Sequence, residues 1–146
     1  MIPGERQWVA DRLPISFEVR ETTPDLGPIG LAVRDNPKRT QLLVTHALAK
    51  HVPAHPAVAF RAARALAERI RGVLPSGSGG LVVGMAETAT GLAELVASEL
   101  GEVDFLHTTR SPSPGSAVQA VFSESHSHAP SHFVAPREPG MLAGAG

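Results

Sequence analysis

The segment with the most chemical potential is Val83-Gly84-Met85-Ala86-Glu87-Thr88-Ala89-Thr90-Gly91. An apolar run, Leu81-Val82-Val83, ends at Gly84, and a helical pattern begins near Thr90 or Gly91. Small residues and hydroxyls stand between them. Such a loop lets an anion reach the unpaired N–H groups and the positive dipole end of the following helix. Thr88 and Thr90 can cap that helix or donate to phosphate oxygens, and Glu87 can orient a hydroxyl or a metal-bound water. The same residues also read as an ordinary strand-to-helix turn, with threonine as the cap and glycine for close packing. The spacing fits neither the Walker phosphate loop nor the dinucleotide glycine fingerprint.

Three further groups carry reactive side chains. His107-Thr108-Thr109-Arg110-Ser111-Pro112-Ser113-Pro114-Gly115 follows another strand pattern, so it opens on the same sheet edge as the first loop. Arg110 can grip a phosphate with two N–H groups, and the Ser/Pro/Gly run can close over a ligand. Read blandly, Arg110 is a surface cation beside a long loop. Lys50 and His51 sit between a strand pattern and the long helix, where they either face the same crevice or are solvated. In Glu124-Ser125-His126-Ser127-His128, alternate histidines on an extended segment point the same way, and a helical turn from Ala129 adds His132. Imidazole suits zinc, copper or nickel, which makes His126, His128 and His132 metal candidates. A fourth ligand is not visible, and a packed or solvated histidine cluster explains the same pattern.

These residues need a scaffold, and the apolar pattern supplies one. Ile15, Phe17 and Val19 alternate with polar residues, as in a half-buried strand; Leu31–Val33 and Leu42–Val44 are further short strands, with a turn at Asp35–Lys38. Pro56 suits a first helical position, and Val58, Ala62, Leu66, Ile70 and Val73 recur at helical spacing opposite Arg61, Arg64, Glu68 and Arg71. Gly72 and Pro75 end that helix. Leu81–Val83 has no polar alternation, as expected of a strand covered on both faces. Leu92, Leu95, Val96 and Leu100 form a second helical stripe closed by Gly101, and Val103–Leu106 is the next strand. This β–α–β–α–β run predicts an α/β domain with a parallel sheet and right-handed crossovers.

Composition removes several classes. The 146 residues carry 13 Lys+Arg and 14 Asp+Glu, a net charge of -1, so no bulk field favours nucleic acid. The absence of cysteine excludes disulfides, thiolate metal sites and thiol nucleophiles. The first ten residues have no apolar targeting core and no run is long enough to cross a bilayer, so a soluble cytoplasmic chain without membrane partners is expected. From Ser111 onward the sequence turns to Ser, Pro, His and Gly, and residues 136–146 are expected to be mobile.

Together, Asp35-Asn-Pro-Lys-Arg39, Lys50-His-Val-Pro53, Val83–Gly91, Leu106-His-Thr-Thr-Arg110 and Glu124–Ala129 succeed one another in an order that resembles the orotate-phosphoribosyltransferase-like domain of bacterial tellurite-resistance-associated gene clusters. The resemblance runs from about Ile29 to about Phe133, which divides the chain into an N-terminal β segment (1–28), a partial phosphoribosyltransferase-like domain (29–133) and a flexible tail (134–146). It implies a Rossmann-like parallel sheet of the type I phosphoribosyltransferase kind, incomplete at the C-terminus. It also implies transfer of 5-phosphoribose from PRPP to a nucleobase-like acceptor, with magnesium and release of pyrophosphate.

Carried over residue by residue, Gly84, Ala86, Glu87, Thr88, Ala89, Thr90 and Gly91 would bind the pyrophosphate through backbone donors and hydroxyls. Arg110 and Glu87 would be the catalytic pair, with Thr109, Lys50 and His51 as further substrate contacts. Residues 111–124 would form a mobile hood, and related enzymes commonly form homodimers. This sequence departs from the family pattern in one respect: no strand ending in two adjacent acids and a Thr-Gly phosphate loop follows. The expectation is therefore a protein inactive alone for lack of its PRPP loop. The alternatives are a non-catalytic phosphosugar- or nucleotide-binding or interaction module, and a histidine-bound metal protein.

Overall fold

A computed structural model describes residues 29–33, 41–48, 50, 53–75, 77–125 and 129–143. The strand expected at Ile15–Val19, the turn at Asp35–Lys38, and His51, His126 and His128 lie outside the described residues. The chain divides into two compact units, Met1–Ala62 and Ala63–Gly146.

In the first unit, β1 (Ile29–Val33) pairs antiparallel with β2 (Gln41–Thr45), with Leu31 opposite Leu43. The chain then makes a 3₁₀ turn at His46–Leu48, where Ala47 is buried and its N–H bonds the Thr45 hydroxyl at 3.2 Å. Helix α1 (Pro56–Val73) starts in this unit and ends in the second. Its polar face is the expected one, with Arg61, Arg64, Glu68 and Arg71 exposed and Ala62, Ala63 and Ala67 buried. Val73, counted on the apolar stripe from spacing, is 81 % exposed instead, because it sits in the last turn.

The second unit holds the α/β motif. β3 (Leu81–Gly84), α2 (Thr90–Leu100) and β4 (Asp104–His107) follow in order, and β3 pairs parallel with β4, Gly84 opposite His107. Helix α2 packs on both strands, and its Val96 and Ala97 are buried. It stops at Gly101, whose φ of 91° is accessible to glycine and strained for other residues, and whose N–H bonds the Ala97 carbonyl at 3.0 Å. Arg64 meets the Glu99 carboxylate at 3.5 Å and Arg71 the Glu99 carbonyl, tying α1 to α2. The expected parallel sheet is thus one parallel pair among the described residues. β3 is also not covered on both faces, since Val83 is 44 % exposed.

A hairpin completes the unit. β5 (Ala120–Ser123) pairs antiparallel with β6 (Ser131–Val134), and Phe133 bridges back to Thr109 through two backbone hydrogen bonds of 2.9 and 3.0 Å. Part of the segment read as a hood is therefore strand, and Ser131–Val134 replaces the helical turn expected from Ala129. β-branched and aromatic residues in both short runs favour extended backbone. In the segment expected to be mobile, Pro136 is buried and Pro139–Leu142 makes a 3₁₀ turn. No helix among the described residues is long and apolar enough to cross a membrane.

Candidate functional site

The loop between β3 and α2 begins with a close approach. A Cβ on Gly84 would stand 3.1 Å from Ala93 Cβ, 3.2 Å from Thr90 Cα and 3.4 Å from Phe105 Cε2, so only glycine lets the helix start this near the strand. Met85 to Ala89 form the turn, with a cis peptide between Ala86 and Glu87. Thr90 is the first helical residue. Neither Thr88 nor Thr90 caps the helix: the cap position is Ala89, in helical conformation and without a side-chain cap hydrogen bond. The first turn carries no acid to offset the dipole. Gly91, by contrast, is exposed, and a Cβ there would meet nothing within 4 Å.

Not every amide of the loop is available to an anion. Ala86 donates its N–H to the Thr108 hydroxyl at 2.8 Å, and Ala89 donates to the Met85 carbonyl at 3.1 Å. These two expected donors are spent inside the protein. Among the described residues, no acceptor meets the N–H of Thr90 or Gly91, which leaves the helix start itself as the donor pair. Glu87 is exposed in the turn, and Thr88 is half-buried.

Thr108, which the sequence reading passed over in favour of Thr109, organises the site. It is fully buried. Its N–H donates to the Gly84 carbonyl at 2.9 Å, while its hydroxyl receives the Ala86 N–H, so one residue holds both sides of Met85. The hydroxyl also lies 2.9 Å from His132 Nδ1. Strand alternation was the available signal, because Thr108 falls on the same face as buried Leu106. Thr109 instead bridges to Phe133, and its hydroxyl engages the Ser111 N–H and carbonyl, each at 3.2 Å.

His132 is 1 % exposed and stacks on Phe122 with ring centroids 4.9 Å apart and 2° between planes. Both its ring nitrogens face protein groups, Nδ1 toward Thr108 and Nε2 toward Glu124 Oε2 at 3.4 Å. A metal ion would have to displace one of them, and among the described residues no three His, Asp or Glu side chains gather to hold one. Arg110 is committed as well. It donates to Glu124 Oε2 at 3.1 Å and to the carbonyls of Ala129 and Ser131, with its side chain 15 % exposed. The Arg110 guanidinium, then the His132 ring, hold the Glu124 carboxyl below its ordinary value of 4.5. Lys50 is exposed and belongs to the first unit.

A cavity of about 520 Å³ opens at the other end of the strands, lined by Gly80, Leu81, Gly101, Asp104 and Met141. Four glycines stand among its lining residues, and ligands of parallel α/β sheets gather at the carboxyl ends of the strands instead. The Gly84–Gly91 loop lies at that carboxyl end, with Thr108 bonded to it and the hairpin joined to Thr108 through His132.

No curated protein and no solved structure matches the chain significantly. A family model described as phosphoribosyl transferase matches residues 29–146, a span that includes the β3–α2 loop, Thr108 and the whole hairpin. The chain belongs to that phosphoribosyl transferase family.

Proposed function

We propose that the Gly84–Gly91 loop binds the diphosphate of PRPP and that the protein transfers 5-phosphoribose to a nucleobase-like acceptor, releasing pyrophosphate. The observation that carries this reading is the uncapped start of α2 held against β3 by Gly84, with the Thr90 and Gly91 amides unpartnered among the described residues. Bond cleavage at the ribose C1 carbon leaves charge on the departing diphosphate. Fixed N–H donors stabilise that charge without reorganising, and the Thr88 and Thr90 hydroxyls add donors at the same end. A positioned, water-poor pocket matters more here than a strong base. The order of motifs from Asp35 to Ala129 supports the orotate-phosphoribosyltransferase-like branch associated with tellurite-resistance clusters.

Magnesium suits this donor set. The Glu87 carboxylate and the Thr88 hydroxyl are hard oxygen ligands, and Mg²⁺ usually keeps several waters and shares substrate phosphates. Glu87 and Thr88 would hold it, and bound there it would neutralise diphosphate charge. A second reading, a non-catalytic phosphosugar-binding module, is favoured by one observation: Arg110 is paired with Glu124, which removes a mobile cation from the reaction.

Isothermal titration with pyrophosphate, with PRPP plus magnesium, and with inorganic phosphate tests the site. Pyrophosphate release in the presence of a panel of nucleobases then tests turnover. Binding of PRPP is the expected result, and release upon adding a base would show turnover and overturn the expectation of inactivity. Binding without release would select the module, and no binding of either diphosphate would overturn both readings.

A further inference from the structure

We infer that His132 is a positioning residue of the diphosphate loop: through Thr108 it fixes the Ala86 amide, and through Glu124 and Arg110 it ties that amide to the β5–β6 hairpin. The inference rests on the proposed function only in naming diphosphate as the loop's ligand.

The hydrogen bonds have one consistent direction. Ionised Glu124 can only accept, so it takes N–H groups from Arg110 and from His132 Nε2. A neutral imidazole protonated at Nε2 leaves Nδ1 as an acceptor, and the Thr108 hydroxyl donates to it. The hydroxyl's lone pairs then point elsewhere, and one receives the Ala86 N–H at 2.8 Å. The chain of donors therefore runs from the loop to the ring by way of one hydroxyl, and from the guanidinium to the same carboxylate.

An apolar pair would fill the space occupied by Thr108 and His132 equally well. What the polar pair adds is direction, because buried polar groups favour one arrangement and penalise the rest. With Thr108 holding Gly84 and Ala86, and Ala89 holding Met85, the loop reaches Thr90 along a single path. The hairpin takes part because Glu124 follows β5, His132 lies within β6, and Arg110 reaches the carbonyls of Ala129 and Ser131. Motion of the hairpin is thereby felt at Ala86.

Amide exchange and pyrophosphate titration on the full chain test this. His132→Phe keeps the ring and its stacking on Phe122 but removes both nitrogens. Ala86 exchange is expected to quicken about tenfold, and pyrophosphate affinity to fall by a similar factor, the loss of one net buried hydrogen bond. His132→Asn, whose amide lies near the Nδ1 position and keeps a partner for Thr108, restores both values. His132→Gln, which reaches toward Glu124 instead, does not. Should His132→Phe fail to fold, the Asn and Gln variants decide by that contrast.

The charged groups facing the ring are Glu124 and, across its carboxylate, Arg110, while His107 Nδ1 lies 2.9 Å from the Thr108 carbonyl oxygen. Parent-like Ala86 exchange in every His132 variant overturns the inference. A parent that protects Ala86 but binds no pyrophosphate overturns the proposed function and leaves the coupling standing.

Discussion

Replacing Gly84 with alanine probes the packing that brings α2 to the site. The added Cβ would lie 3.1 Å from Ala93 Cβ and 3.2 Å from Thr90 Cα. Carbon atoms pack best at about 3.5–4.0 Å, so the helix must retreat by roughly 0.3–0.9 Å. The third neighbour, Phe105 Cε2 at 3.4 Å, belongs to a ring that can tilt, but Thr90 Cα is backbone and can move only with the first turn of α2. Overpacking of this kind costs about 1–3 kcal/mol, and the gain of alanine over glycine in a strand offsets about 0.5–1 kcal/mol of it. A net loss near 1–2 kcal/mol is expected from urea unfolding.

Gly91→Ala is the control. Its Cβ meets nothing, and the change is expected to be neutral or stabilising by up to about 1 kcal/mol. Pyrophosphate affinity should fall in Gly84→Ala because the Thr90 and Gly91 amides move with the helix. Parent-like stability for Gly84→Ala, or equal losses for both variants, would refute the argument that this glycine sets the strand-to-helix distance.

Other outcomes follow from the same geometry. Gly91→Val should leave the unfolding midpoint close to that of the parent yet weaken pyrophosphate binding in titration calorimetry, because its side chain enters open space beside the helix start. Gly101→Ala should cost about 1–2 kcal/mol in urea unfolding, since its φ is positive and alanine is strained there. Arg110→Ala should loosen the hairpin, seen as faster exchange of the Phe133 amide. Arg110→Lys should not restore it, because one ammonium cannot reproduce the fork that meets Glu124 and two carbonyls. Glu124 has a depressed folded pKa, so its stabilising contribution is present above its unfolded value and is lost as pH falls through the folded one. Melting temperature should therefore drop below about pH 4.5 more steeply for the parent than for Glu124→Gln.

The two helices and the strands flanking them were legible because each depends on local features. Pro56 opens α1, the Leu92–Leu100 stripe gives α2 its buried face, and Gly101 ends it through a backbone angle that the residue type itself permits. The chemical promise of Gly84–Gly91 was legible for the same reason, as small residues between a strand and a helix. The hairpin was not. Ala120–Ser123 and Ser131–Val134 are four residues each, too short to show a period, and the serines and histidines in and between them looked like a loop. Two short apolar runs around a polar turn were the signal available.

Which donors the loop offers was decided only in three dimensions. Sequence named Ala86, Ala89 and Arg110 as anion contacts, and folding gave each a partner inside the protein: Thr108, Met85 and Glu124. Thr108 and His132 are 24 residues apart along the chain and 2.9 Å apart in space. The residue types in a strand-to-helix passage fix which anion chemistry is accessible. Pairing between distant strands fixes which polar groups remain to perform it, because a buried donor takes the nearest acceptor that folding provides.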